Sequence, residues 1–434
     1  MKRRVRFLDT RPLRSSPPFR ALWIGTSASQ AGAQIANVAV LAQVWDLTGS
    51  PVGTGAIGLA TGLPMVVFGL LGGALADTVD RRALVRATTA GQLLAAAALC
   101  AQALAGNRNV LLLLALVAVA TACAALGAPA RRTFPVRLLP PDQVAAGLAL
   151  NNVSFQAAML AGPAAAGLII ARWSYPAAYA TQAAAIAVAL AAVLRLPAMR
   201  PEGTRAPGGG RRRAERGGWR IVLHRKTLWG SLATDLSATL LAMPIALFPL
   251  VNEVHFDGNP RTLGLFLSAV AAGGITAGLL SGTVTRIRRG GLVQLTAAAV
   301  WGVALACFGL AGPLWLALAC LTAAGAADTV SVVTRSALVQ LETPDAYRGR
   351  VSSVEHVIGV AGPELGNFRG GLVASATSAT FSLVTGGLTA LAAIAAVAAA
   401  NAPLRTYRTP TPKTPAPDTP APSTQPVSPA PPGS

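Results

Sequence analysis

Charge is what this sequence has little of. Asp, Glu, Lys and Arg make up 12% of its 434 residues, about half the ~25% of a soluble domain. That is too little to clothe a water-facing surface of this size. Lysine occurs only at Lys2, Lys226 and Lys413, and none completes the Gly-x-x-x-x-Gly-Lys loop that cradles nucleotide phosphates. Direct ATP drive through such a loop is excluded, and no enzymatic motif is present. The three histidines are not spaced as metal ligands, so neither a metal nor a cofactor is expected. Cys100, Cys123, Cys307 and Cys320 all fall inside apolar segments, where they read as small packing residues rather than a disulfide framework. Aromatics are sparse at 5%. No basic stretch is interleaved with them, so the net charge of +20 does not point to nucleic acid.

What is present is apolar, and it comes in runs. Hydrophobic residues fill 53% of positions, in stretches of about 20, the length that crosses ~30 Å of hydrocarbon at ~1.5 Å per residue. The run from Asn109 to Leu126 carries no charge. In lipid such runs must be helices, because the backbone has to satisfy its own hydrogen bonds. The fold class is therefore an all-α membrane protein of about twelve transmembrane helices. The first six are expected near 21–44, 52–76, 84–105, 110–130, 144–171 and 177–194. The second six are expected near 228–251, 263–284, 292–311, 314–333, 351–374 and 381–400. The chain divides into a basic tail at 1–20, a six-helix bundle at 21–194, a Gly/Arg-rich linker at 195–227 containing GGGRRRAERGG, a second bundle at 228–402, and a Pro/Thr-rich tail of disordered composition at 403–434. With both termini in the cytoplasm, the external loops hold only Arg108, Arg172 and Arg261. Shifting the count by one helix would place the basic linker outside, against the positive-inside bias. A multi-pass protein of the cell membrane, with lipid as its surroundings and working as a monomer, is the expectation.

The halves repeat. Arg132-Thr133 precedes Asp142 at the spacing by which Arg335-Ser336 precedes Asp345. AGPAAAG around Pro163 pairs with AGPELGN around Pro363, and GGALADTVDRR has a degenerate echo in SGTVTRIRRGG. Parallel half-repeats are how many carriers hold substrate between two bundles.

The densest motif is GGALADTVDRRAL, from Gly72 to Leu84. Its glycines permit close helix approach. Asp77 can cap the next helix and pair with Arg81 or Arg82. Intramembrane ionisable groups are costly and usually face a cavity. Asp235 lies about eight residues into the seventh span, ~12 Å deep, and is read either as a proton-coupling acid or as a structural hydrogen-bonded one. Glu364 is a second coupling candidate. Asp328 and Arg335 lie seven apart on one face of the tenth span and read as a structural charge network. Gln30, Gln34 and Asn37 fall at helical spacing, and Asn151, Asn152 and Gln156 do so less strictly. They are read as walls of a cavity for a sizeable, weakly polar ligand, with interhelical hydrogen bonding as the alternative.

Gly-x-Leu-x-Asp-x-x-x-Arg-Arg, from Gly73 to Arg82, resembles the signature loop of the major facilitator superfamily. LWIGTSASQAGAQ, TGSP, DQVAAGLALNN, AMPIALFP, GAADTVSVVTRS, TPDAYRGRVS and GPELGN, in that order, resemble its enterobactin-exporter-like branch over roughly Phe19 to Leu404. The resemblance implies that Gly73, Asp77, Arg81 and Arg82 form a cytoplasmic gate, and that Gly162, Pro163 and Gly167 form the Gly-Pro bend of exporters. It further implies secondary transport of a small molecule (a siderophore or a hydrophobic drug or metabolite) by proton antiport with alternating access. An uptake permease and a non-transporting scaffold or sensor are the alternatives. Where relatives often carry an acidic pair near the eleventh span, this chain has Asn367 and Arg369.

Overall fold

A computed structural model describes residues 9–196, 221–280, 288–344 and 347–408. The side chains at 70, 74, 76, 77, 348–350 and 353 lie outside that description. So do the linker GGGRRRAERGG, most of SGTVTRIRRGG, and the two tails beyond these limits. The described residues form helices and connecting turns.

The long helices are α1 (Pro17–Thr48), α2 (Pro51–Thr78), α3 (Arg81–Leu104), α4 (Val110–Arg132) and α5 (Pro141–Leu194). The second half has α6 (Lys226–Ala242), α7 (Phe248–Phe256), α8 (Pro260–Leu279), α9 (Gly290–Leu310), α10 (Leu314–Glu342), α11 (Arg348–Ala376) and α12 (Ala379–Ala400). Two of these depart from one helix per crossing. The 54 residues of α5 contain Ser174 at φ 67°, where the chain turns back on itself. Gly147 packs against Phe19 and Gly162 against Gln34, so the first arm runs parallel to α1. Gly32 meets Gln182 and Gly25 meets Ala189, so the second arm runs antiparallel to it. The seventh crossing is instead broken into α6, a 3-10 turn at Ile245–Leu247, and α7. Pro244 stands at the break and brings no N–H to a helical ladder.

Among the described residues, nine helices are long and apolar enough to span a bilayer. Folded α5 supplies two crossings, and the broken seventh span supplies one. The long helices outside that set, α1 and α11, carry Gln30, Gln34 and Asn37, or Glu355, Glu364 and Arg369. Polarity, not length, lowers their hydropathy. The twelve crossings form two six-helix bundles.

One end of the molecule, here the tail end, carries Pro17, the α2–α3 turn and the start of α6. The far end carries the short turns at 49–50, 257–259 and 377–378. In the second half, Phe248, Phe266 and Phe308 meet edge to face with centroids 5.5–5.6 Å apart, and Phe256 joins Phe266. Edge-to-face rings add specificity to apolar burial, and this cluster fixes α7 beside α8 and α9. In the first half, Tyr179 donates to Gln43 Oε1 at 2.7 Å, and Gln102 Nε2 donates to the same oxygen at 3.1 Å. This ties α1, α3 and the second arm of α5 together.

Candidate functional site

The halves meet along two pairs of helices, and small residues set both contacts. In α2, a Cβ on Gly58 would stand 2.5 Å from the Glu364 carbonyl oxygen of α11. A Cβ on Gly62 would stand 2.8 Å from the Glu364 Cβ. Gly371 of α11 leaves room for Pro51 in the same way. On the other side, Gly264 of α8 abuts the Pro163 carbonyl of α5, Gly167 abuts Pro260, and Ser268 Oγ donates to the Leu160 carbonyl at 2.8 Å. Backbones approach this closely only where side chains are missing. Trp45 Nε1 of α1 reaches Glu253 of α7 at the far end. Towards the tail end, a Cβ on Gly69 of α2 or Gly278 of α8 would meet none of the described residues within 4 Å, and one on Gly359 of α11 would meet Arg335 of its own half.

The broken seventh span lies in this seam. A helix break in lipid frees backbone groups that water cannot satisfy. Here side chains from both halves take them. Asn367 Oδ1 accepts from Ala246 N at 3.2 Å, Thr54 Oγ1 donates to the Ala246 carbonyl at 2.7 Å, and Arg369 Nη1 donates to the Leu241 carbonyl at 2.5 Å. A cation at the carboxyl end of α6 also suits the helix dipole. Asn367 and Arg369, the two departures from the acidic pair, therefore hold the break. Beside them Glu364 faces Thr61 of α2 across the seam and Asn367 in its own helix, the Thr61 hydroxyl donating to the Ile57 carbonyl at 2.9 Å.

Asp235 sits elsewhere. It is 4% exposed, and its carboxylate pairs with Arg335, 7% exposed. Arg335 Nε lies 3.4 Å from Glu355, which also accepts from Ser336 Oγ at 2.8 Å. The network expected of Asp328 and Arg335 thus runs through Asp235 and Glu355, fastening α6, α10 and α11. Asp328 is close enough to feel Asp235 and Arg335 electrostatically but forms no ion pair with either among the described residues. The reason is geometric: the guanidinium turns towards α6 and α11, not back along its own helix.

The remaining sequence candidates are dispersed. Gln30 lines a small cavity inside the first half, and Gln34 Nε2 lies 3.0 Å from the Met159 sulfur in α5. Asn37 is exposed although Ala36 and Val38 beside it are buried. Asn152 is exposed, while Asn151 and Gln156 are half-buried. Helical dihedrals continue through Gly162, Pro163 and Gly167, the break in α5 coming only at Ser174. What those three residues do here is pack against α1 and α8. At the gate loop, Gly72 lies against the Leu126 carbonyl. Asp80 caps α3, its Oδ1 accepting from Arg82 N at 2.8 Å and Ala83 N at 3.3 Å. Arg82 Nη2 donates to the Leu194 carbonyl at 2.8 Å. The side chain of Asp77 lies outside the described residues. Asp80 directly precedes the helix, which is where a cap must stand.

The model of the transmembrane secretion effector family matches residues 10–423. The chain belongs to that family of major facilitator transporters. The chain is 25% identical over 420 residues to an enterobactin exporter of Citrobacter koseri, covering 95% of this chain and 98% of that one. It is 26% identical over 392 residues to an enterobactin exporter of Shigella flexneri, covering 88% and 93%. Solved structures with the same fold include the nucleoside transporter NupG (TM-score 0.73, 13% identity, 88% of this chain and 99% of that one). A D-xylose–proton symporter also matches (TM-score 0.68, 13% identity, 87% and 96%). The protein is thus a multi-pass transmembrane transporter of the major facilitator type. The sequence reading missed Thr54, Thr61, Gly58 and Gly62 as seam residues. The Gly-x-x-x-Gly spacing of the last two, and Pro244 within an apolar run, are the signals that point to them.

Proposed function

We propose that this transporter exports a small, sizeable-ringed or hydrophobic molecule of the siderophore or drug class from the cytoplasm in exchange for protons. The observation that carries this reading is Glu364. It is an acid at the middle of α11, in the seam between the halves, its backbone and one carboxylate oxygen lying against Gly58 of α2. An acid placed there changes its surroundings whenever the halves part, so its protonation and the opening of the seam are linked. The names of the curated relatives support export and a catecholate siderophore as the first substrate to try. Close contacts at the far end, with none of the described residues within 4 Å of a Cβ on Gly69 or Gly278, support a state open to the tail end, which the basic linker and the positive-inside rule assign to the cytoplasm of an inner membrane. Substrate enters there, against walls that include Asn37 of α1. The gate around Asp77, Arg81 and Arg82 closes behind it, and the far seam opens.

The test is transport into inverted proteoliposomes, with enterobactin as the first probe and an imposed proton gradient. Glu364→Gln is expected to transport without responding to the gradient, whereas wild type responds. A Glu364→Gln protein that keeps full gradient dependence removes Glu364 as the coupling group. Loss of that dependence in Asp235→Asn alone assigns the role to Asp235.

A further inference from the structure

The first half holds a half-buried arginine that the transport cycle above does not use. Arg131, one residue before the end of α4, turns into a cavity of about 130 Å³ between α1, α3, α4 and the second arm of α5. That is roughly four times the ~30 Å³ a water occupies in the liquid. Thr26, Ser29, Gln30 and Thr89 line it, with Leu22 on its apolar side. Among the described residues, the Nε and Nη2 of Arg131 are sealed from solvent without a hydrogen-bond partner, and so is Gln30 Oε1. A cation drawn partly out of water, with no counter-charge among the described residues, is costly.

The second half shows what such an arginine ordinarily meets. Leu228-Trp229 at the start of α6 corresponds to Leu22-Trp23 at the start of α1. This puts Ser29 and Gln30 in the neighbourhood that Asp235 occupies in the second half. There, Arg335 of α10 is neutralised by Asp235 and Glu355. In the first half the pseudo-symmetric position has a hydroxyl and an amide in place of the carboxylate. The repeat in sequence aligns Arg132 with Arg335, yet Arg132 is exposed, and Arg131 is the residue that turns inward.

We propose that this cavity is an oxyanion site that takes a phosphoryl group, with Arg131 as the charge and Thr26, Ser29, Thr89 and the Gln30 amide as further donors. A guanidinium matches two oxygens of such a group at once. The small hydrogen-bonding side chains fit the remaining ones. Arg131, Leu22, Val85 and Val193 all lie within a few residues of the tail-end helix termini. The mouth therefore stands at headgroup depth, where both inorganic phosphate and an anionic phospholipid can reach it. The site lies wholly inside one half, and its test does not depend on which molecule is carried.

The experiment is thermal unfolding of the full-length protein in neutral detergent. Inorganic phosphate is titrated against chloride at matched ionic strength, and phosphatidylglycerol against phosphatidylcholine. Wild type is expected to gain melting temperature with phosphate, or with phosphatidylglycerol alone; the first outcome assigns a soluble anion and the second a lipid headgroup. Arg131→Gln should bind the effective probe roughly tenfold or more weakly, the loss of a charge-assisted contact, and Arg132→Gln should not. Gln30→Glu, which places a carboxylate beside Arg131, should melt higher without any probe and no longer respond to it. If Arg131→Gln fails to fold, Gln30→Glu decides. The proposal falls if neither probe shifts wild type, or if Gln30→Glu responds as wild type does.

Discussion

Arg335, Arg369 and Arg131 are three arginines held inside an apolar bundle, and each has a different neighbour. Arg335 meets two carboxylates, Arg369 meets the carbonyl end of α6, and Arg131 meets hydroxyls and an amide. The first arrangement makes a sharp prediction. Removing one member of a buried ion pair leaves an uncompensated charge and costs about 3–5 kcal/mol, whereas replacing both is far milder. Arg335→Leu is expected to lose that much stability in detergent, and Asp235→Asn with Arg335→Leu to recover a large part of it. Equal melting temperatures for the single and double variants would show that Asp235 is not the main partner. Arg369 makes a second. Arg369→Leu leaves the Leu241 carbonyl without its donor, a cost of about 1–3 kcal/mol. Arg369→Lys, which keeps a donor and a charge, should lose less in the same measurement.

At the scale of elements, the long apolar runs named most spans before any coordinates, because in lipid length and the absence of charge leave a helix as the only outcome. The boundaries moved where local chemistry intervened. A helical reading of the run from Leu228 to Val251 does not see that Pro244 breaks it, nor that Thr54, Asn367 and Arg369, distant in sequence, take up the freed groups. Asp235 and Glu364 were legible as costly acids, but their partners Arg335 and Thr61 lie on other helices, and a single sequence holds no record of which faces meet. Asp77 stood out by motif, while the cap of α3 fell to Asp80, since capping depends on the position adjoining the helix. The seam glycines give the element-scale prediction. Gly264→Val drives a side chain into the Pro163 carbonyl, and overpacking of this kind costs about 1–3 kcal/mol. Because that cost falls only on the state with the far seam closed, it moves the equilibrium roughly 5- to 150-fold towards far-end opening. Cysteine labelling near the far end, for example at an introduced Arg261→Cys, should accelerate accordingly. An unchanged labelling rate would mean that the α5–α8 contact does not control opening.

For the whole molecule, closure at the far end rests on few polar contacts set among glycine crossings. Trp45 of α1 reaches Glu253 of α7, and close by Tyr175 donates to Asp46. The second bond lies within the first half and holds the end of α1 against α5. The first joins the two halves, so only it is broken when the far end opens. An indole donor to a carboxylate is a charge-assisted bond, and with Glu253 exposed to water it contributes about 1 kcal/mol. Trp45→Phe keeps an aromatic side chain but loses both the donor and the second ring, so Glu253→Leu, which removes the acceptor and leaves Trp45 in place, should produce the same shift if the bond is responsible. The expected outcome is a shift of the far-end distance distribution towards longer separations, read by spin labels across the halves. Tyr175→Phe, which loosens one half without touching the other, should leave that distribution in place. A Trp45→Phe distribution identical to wild type, with Tyr175→Phe the one that shifts it, would locate the far-end latch within the first half and not between the two.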